Sequence, residues 1–192
     1  MTIFSQEIPN SFSNIGIARY GDTTWTCFKT SPQIYVHTIC IWDQFYALND
    51  KGALLVCDVN GLTPKAAEFS QPINLDFPVR VNEISYYLVE MSGELYLVVR
   101  PRYLMRSVDN LMLSFRIYKM IFCTRKWELS GSDDNAVFVG RNSYFSLLAS
   151  DYPELKPNYI YFVDDFFGFY GKRGKVGSSK RMRRYSFEDG TH

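Results

Sequence analysis

The residues best equipped for chemistry lie late in the chain. Lys172, Arg173, Lys175, Lys180, Arg181, Arg183 and Arg184 crowd seven positive charges into residues 172–184. Such a run can engage phosphates, nucleic acid or a nuclear import receptor, and its plain counterpart is a solvated loop. No aromatic is interleaved within it, so it has no platform of its own for base stacking. The stretch GKRGKVGSSK at 171–180 looks like a phosphate loop, but its spacing is not GxxxxGK[ST] and no strand–loop–helix context surrounds it.

Two pairs of adjacent acids come next: Asp133 with Asp134, and Asp164 with Asp165. Paired carboxylates can hydrolyse glycosides. These pairs sit at strand ends, where Asp favours turns by bonding its own backbone. The two histidines are His37 and His192. His37 and Cys40 are three apart in a strand-like run, so they point to opposite sides and cannot share one metal. No calcium-loop pattern and no GxSxG elbow occurs. The residues therefore predict no catalytic group, no metal ligand and no cofactor.

Composition narrows the class. A chain of 192 residues suffices for one domain with a sizeable core. Aromatics make up 17%, with 14 Tyr and 15 Phe, a bias that suits half-buried pleated surfaces. A net charge of +1 gives no global drive toward nucleic acid or membrane. Cys27, Cys40, Cys57 and Cys123 form no CxxC pair, and are expected as buried, reduced thiols of an intracellular protein. No apolar run approaches the ~18 residues of a membrane helix. The first 14 residues lack the basic and apolar regions of a signal peptide. Cytoplasmic or nuclear residence is the expectation.

The elements that must position these residues read as strands. FYALNDKGALLVCDV (45–59) and YYLVEMSGELYLVVR (86–100) are two strand–turn–strand units, each turning at a glycine, Gly52 or Gly93. Glycine accepts positive φ in such hairpins. Further apolar runs fall into groups. Residues 15–20 and 25–29 form two strands. Residues 34–42, 45–49, 53–59 and 65–69 form a first set of four. A second set covers 84–91, 94–100, 114–122 and 126–130, with a long loop at 101–112. A third covers 135–140, 144–150, 158–165 and 184–190, with a flexible basic loop over 168–183. Residues 1–14 read as irregular, and 15–192 as one domain. One helical turn fits before Pro153. Trp25 and Trp127 stand in comparable places, about two kelch-sized repeats apart, and both are expected in the core with Trp42. The chain reads as all-β, a partial kelch-like β-propeller of four-stranded antiparallel sheets, with about three blades plus two strands.

On these residues the chain resembles the plant F-box-associated β-propeller family. The matching stretches are the two hairpin units, FRIYKMIFCTRKWELSG, NAVFVGRNSYFSLLASDYPELKPNYIYFVDD and YSFEDGT. The resemblance spans most of the chain, from about residue 15 to 191. The resemblance implies a non-enzymatic module that holds a protein substrate on its loops, with 102–112 and 166–183 as candidates. Members of the family carry an F-box that docks a Skp-type adaptor of a cullin ubiquitin ligase. No F-box-like segment is seen in these residues, so adaptor binding is expected only from a longer product, and a truncated propeller is expected here. A hydrolytic propeller using Asp164 or Asp165, and a nuclear nucleic-acid binder using Arg181, Arg183 and Arg184, are the alternatives.

Overall fold

The computed structural model describes residues 2–6, 14–28, 30, 33–60, 63–75, 83–102, 115–140, 144–163 and 182–187. They form four sheets in succession. Blade 1 holds β1 (Thr2–Gln6), β2 (Asn14–Ala18) and β3 (Thr26–Cys27). Blade 2 holds β4 (Tyr35–Ile41), β5 (Gln44–Asn49), β6 (Leu54–Asp58) and β7 (Lys65–Glu68). Blade 3 holds β8 (Glu83–Met91), β9 (Glu94–Arg102), β10 (Arg116–Ile121) and β11 (Lys126–Ser130). Blade 4 holds β12 (Asn135–Val139), β13 (Tyr144–Leu148), β14 (Tyr159–Val163) and β15 (Met182–Ser186). The edge strands β1, β4, β8 and β13 lie side by side, β1 against β4, β4 against β8, and β8 against β13. The chain is thus all-β, a partial β-propeller, as its sequence predicts.

The strands in the middle of this array are apolar on both faces because each sheet is sandwiched. In blade 2, Tyr46, Leu48 and Leu54 point toward blade 3, while Ala47, Leu55 and Cys57 point toward blade 1. In blade 3, Leu88, Leu95, Leu97 and Val99 face blade 2, and their neighbours Tyr87, Val89, Tyr96 and Val98 face blade 4. Period two splits each apolar run between two cores. Pro101 sits in β9 beyond the end of its ladder with β10, which stops at the Val99–Arg116 pair. There its missing N–H costs no ladder bond.

Several details differ from the sequence reading. Thr2–Gln6 is a strand inside the stretch read as irregular, so the first sheet has three strands and not two. Gly52 and Gly93 do not mark equivalent hairpins. Gly52 joins the second and third strands of its blade, and Gly93 the first and second. The true counterpart of Ser92-Gly93 is Trp42-Asp43. Both are two-residue turns with both φ positive, 51° and 81° in one, 51° and 59° in the other, the type I′ geometry that matches strand twist. In blade 4 the order is β13-β12-β14-β15, and β12 runs parallel to β14. Residues 149–158, including a 3-10 turn at Ala149–Asp151, carry the chain across the end of β12. That crossing is fixed by the Ala149 N–H to Asp134 carbonyl and Asn158 N–H to Asn135 carbonyl bonds, at 2.9 and 3.1 Å.

The tryptophans and cysteines also depart from expectation. Trp25 and Trp42 are exposed, and only Trp127 is partly buried. Trp25 precedes the third strand of its blade and Trp127 sits in the fourth strand of another, so the two are not equivalent. Cys57 is buried, but Cys27, Cys40 and Cys123 are exposed, because strand position alone does not say which face a neighbouring sheet covers.

Candidate functional site

An aromatic cluster forms where the β4–β5 turn of blade 2 meets the β10–β11 turn of blade 3. Phe122 lies 4.9 Å from Trp42, 5.9 Å from Tyr46 and 5.6 Å from Phe69, ring centre to ring centre. The Arg125 guanidinium stands 5.3 Å over the Phe69 ring. Trp127 anchors the margin by donating its indole N–H to the Gly52 carbonyl at 3.0 Å. Desolvation among these rings raises the Tyr46 hydroxyl above its usual range.

Trp42 is the outlier of this cluster. It is 60% exposed and has φ 51°, a left-handed conformation that costs a bulky residue about 1–2 kcal/mol. Glycine, Asn or Asp would fill the turn more cheaply. A large exposed aromatic in a strained turn, linked through Phe122 and Phe69 to an exposed Arg, has the composition of a binding hot spot. The sequence reading missed this site. In the structure only two residues separate the paired Ile41 and Gln44, so Trp42 turns and does not continue the strand.

Only two members of the basic run, Arg183 and Arg184, are among the described residues. Lys172, Arg173, Lys175, Lys180 and Arg181 lie outside them, as do Asp164, Asp165 and nearly all of the loops at 102–112 and 166–183. Met182 and Arg183 belong to strand β15 and not to a loop. Tyr161, Met182, Arg183 and Arg184 line an open groove. Beside it, a row of aromatics crosses the sheet. Phe145, Phe138, Tyr161 and Arg184 are direct cross-strand neighbours on β13, β12, β14 and β15. Phe138 stacks on Phe145 at 4.8 Å and 8°, and on Tyr161 at 5.0 Å and 15°. Arg184 and Lys156 reach over the Tyr159 ring at 5.8 and 5.7 Å. The basic run thus has an aromatic neighbour that is distant in sequence.

His37 lies at the meeting of three inner strands. Its ring is 4.5 Å from Tyr144 of β13, edge on, and 5.8 Å from Tyr87 of β8. Burial pulls its pKa down to about 4, against a smaller upward effect from the hydrogen bond to the Tyr86 backbone. The imidazole is neutral at physiological pH and acts as packing. Burial likewise pushes the Cys57 thiol up to about 12, which makes it a poor nucleophile. Asp133 occupies a turn with φ 47°, and both Asp133 and Asp134 are exposed. Among the described residues no group of three His, Cys, Asp or Glu is placed to hold a metal. No helix among them is long and apolar enough to cross a membrane.

Comparison with known proteins puts this geometry in context. The model of the family described as KIB1-4 beta-propeller matches residues 1–186. An F-box protein of Arabidopsis thaliana is 30% identical over 146 residues, which is 73% of this chain and 43% of the relative. Two further Arabidopsis thaliana proteins with F-box names are each 31% identical. One matches over 145 residues, 75% of this chain and 39% of the relative. The other matches over 130 residues, 62% and 34%. The chain therefore spans about two fifths or less of the length of these curated relatives. No solved structure matches it.

Proposed function

The chain belongs to the KIB1-4 β-propeller family, and on that premise we propose that it is a non-enzymatic protein-interaction module of the kind that holds substrate in an F-box protein. The observation that carries this reading is the exposed, strained Trp42 packed on Phe122 beside Arg125. A rigid pair of blades presents an aromatic and a cation at two adjoining turns, the usual place for recognition on a scaffold. If a longer product supplies an F-box, that box would dock a Skp-type adaptor and the propeller would recruit a protein for ubiquitination. The cytoplasm or nucleus is the proposed place of action.

The alternatives draw less support. A hydrolytic propeller needs acids that converge, and the described pair, Asp133 and Asp134, occupies an exposed turn. A nucleic-acid binder needs open ring faces beside the cations. In blade 4 both faces of the Phe138 ring are already taken by Phe145 and Tyr161.

The test is affinity capture followed by quantitative mass spectrometry, using the full chain and its Trp42→Ala and Arg125→Ala variants as baits. Partners that use this site should fall at least ~10-fold with Trp42→Ala, the scale of a hot-spot residue, while the melting curve stays close to wild type. An unchanged partner set with both variants would overturn the assignment of the site.

A further inference from the structure

We propose that the Trp42 site takes an extended peptide segment with one Asp or Glu within about five residues of a large apolar side chain. This rests on the reading of the chain as an interaction module. Trp42 holds the apolar side chain and Arg125 holds the carboxylate. Both residues are exposed, and both stand in turns with positive φ, 51° and 55°.

Arg125 has donors to spare. Its guanidinium lies 5.3 Å over the Phe69 ring. Among the described residues it pairs with no carboxylate and donates no hydrogen bond. By contrast, Lys119 on the preceding strand is already paired with Glu94. A guanidinium resting on an aromatic face keeps its fork of N–H groups for a planar acceptor, and loses little freedom when that acceptor arrives. A carboxylate meets such a fork with two charge-assisted hydrogen bonds.

The surroundings select a single negative charge. Lys126 follows Arg125, but Trp127 beside it packs toward blade 2. Alternation along β11 therefore turns Lys126 to the other face. Asp43 shares the turn with Trp42 and is exposed. Glu68 precedes Phe69, and its carboxylate accepts from the Gln71 amide at 2.9 Å. A site with one free cation and two acids of its own suits one incoming carboxylate. It disfavours a phosphate, which is repelled by neighbouring acids and is recognised by clusters of arginines.

The spacing follows from the rings. Trp42 meets Phe122 at 4.9 Å, Phe122 meets Phe69 at 5.6 Å, and Arg125 stands over Phe69 at 5.3 Å. An extended chain advances about 3.3 Å per residue, so about five residues span the path from Trp42 to Arg125 at most. Phe122 and Phe69 are half-buried and give that path an apolar floor. The Trp42 indole N–H has no acceptor among the described residues. It is available to a backbone carbonyl of the bound segment.

The test is selection of a displayed library of random linear peptides on the full chain, run in parallel on Trp42→Ala, Arg125→Glu and Arg125→Gln. All are substitutions at exposed positions, and circular dichroism checks that the fold is kept. Peptides enriched on the wild type should share a large apolar residue with Asp or Glu within about five positions. Arg125→Glu should lose that acid and enrich Lys or Arg in its place. Changing the acid of a selected peptide to its amide should weaken binding to the wild type at least ~10-fold. The same change should matter little to Arg125→Gln, where the pair is already broken. Peptides that need Trp42 but show no preference for an acid overturn this proposal and leave the interaction site standing. Enrichment unchanged by Trp42→Ala, or no enrichment at all, overturns both.

Discussion

The two faces of blade 4 are built from alternate residues of the same strands, yet their rings are arranged differently. On the inner face, Phe115 of blade 3 meets Phe162 at 5.1 Å and 55°, and Tyr185 at 5.4 Å and 54°. These are contacts between sheets, where side chains from two faces interdigitate and rings meet at an angle. Arg100 lies buried in the same seam, its guanidinium over Phe115 and Phe162. On the outer face the rings stack at 4.8 and 5.0 Å. That is the spacing of neighbouring strands, so the row is the sheet's own ladder made visible. The tilted rings are contacts between two sheets, and the stacked row is a contact within one.

The largest expected effect separates the two faces directly. Phe162 is 1% exposed, and Phe162→Ala should cost about 3–5 kcal/mol through lost burial and the cavity left behind. Met182→Ala, on the other face and 63% exposed, should cost below about 1 kcal/mol, since exposed positions outside such mechanisms change stability little. Urea unfolding of both variants checks this. Similar costs at both positions would break the distinction between the faces.

His37 sharpens the account at the inner strands. Its pKa is pulled from the usual 6.5 to about 4 in the folded chain, so the fold keeps it neutral. The unfolded chain takes up the proton first as pH falls. The stability tied to the neutral ring is therefore complete above pH 6.5 and is lost between 6.5 and about 4, up to about 3 kcal/mol. Urea midpoints across that window should fall more steeply for the wild type than for His37→Phe. Equal slopes would mean that His37 is not desolvated between Tyr87 and Tyr144.

The smallest effects compare two turns. Gly52 has φ 78°, and a Cβ there would run into the Ile73 side chain. Gly93 has φ 81° with open space around it. Gly52→Ala should cost about 2–3 kcal/mol through strain and overpacking, and Gly93→Ala about 1 kcal/mol through backbone strain alone. Thermal melts of the two variants resolve the difference.

Much of the blade grouping was legible in the sequence. The apolar runs at 34–69, 84–130 and 135–163 fall where blades 2, 3 and 4 place their strands, because period-two apolar segments and turn residues are local signals. Which hairpins correspond was not legible. Gly52 and Gly93 look alike in one dimension, while the counterpart of the Gly93 turn, Trp42-Asp43, contains no glycine. The parallel pairing of β12 with β14 was hidden too, since it depends on where residues 149–158 cross and not on any residue's preference. Exposure of Trp25, Trp42 and three cysteines follows from which sheet faces them, a long-range property. The candidate site was missed for the same reason. Trp42, Phe122 and Arg125 come from two blades, and the chosen basic run met the described fold only at Arg183 and Arg184.

Hydroxyl-radical footprinting of the full chain tests the central claim most directly. The account predicts that Phe145 and Met182 are labelled, while Phe162 and Tyr185 stay unlabelled. Labelling of Phe162 to the same extent as Phe145 would contradict it.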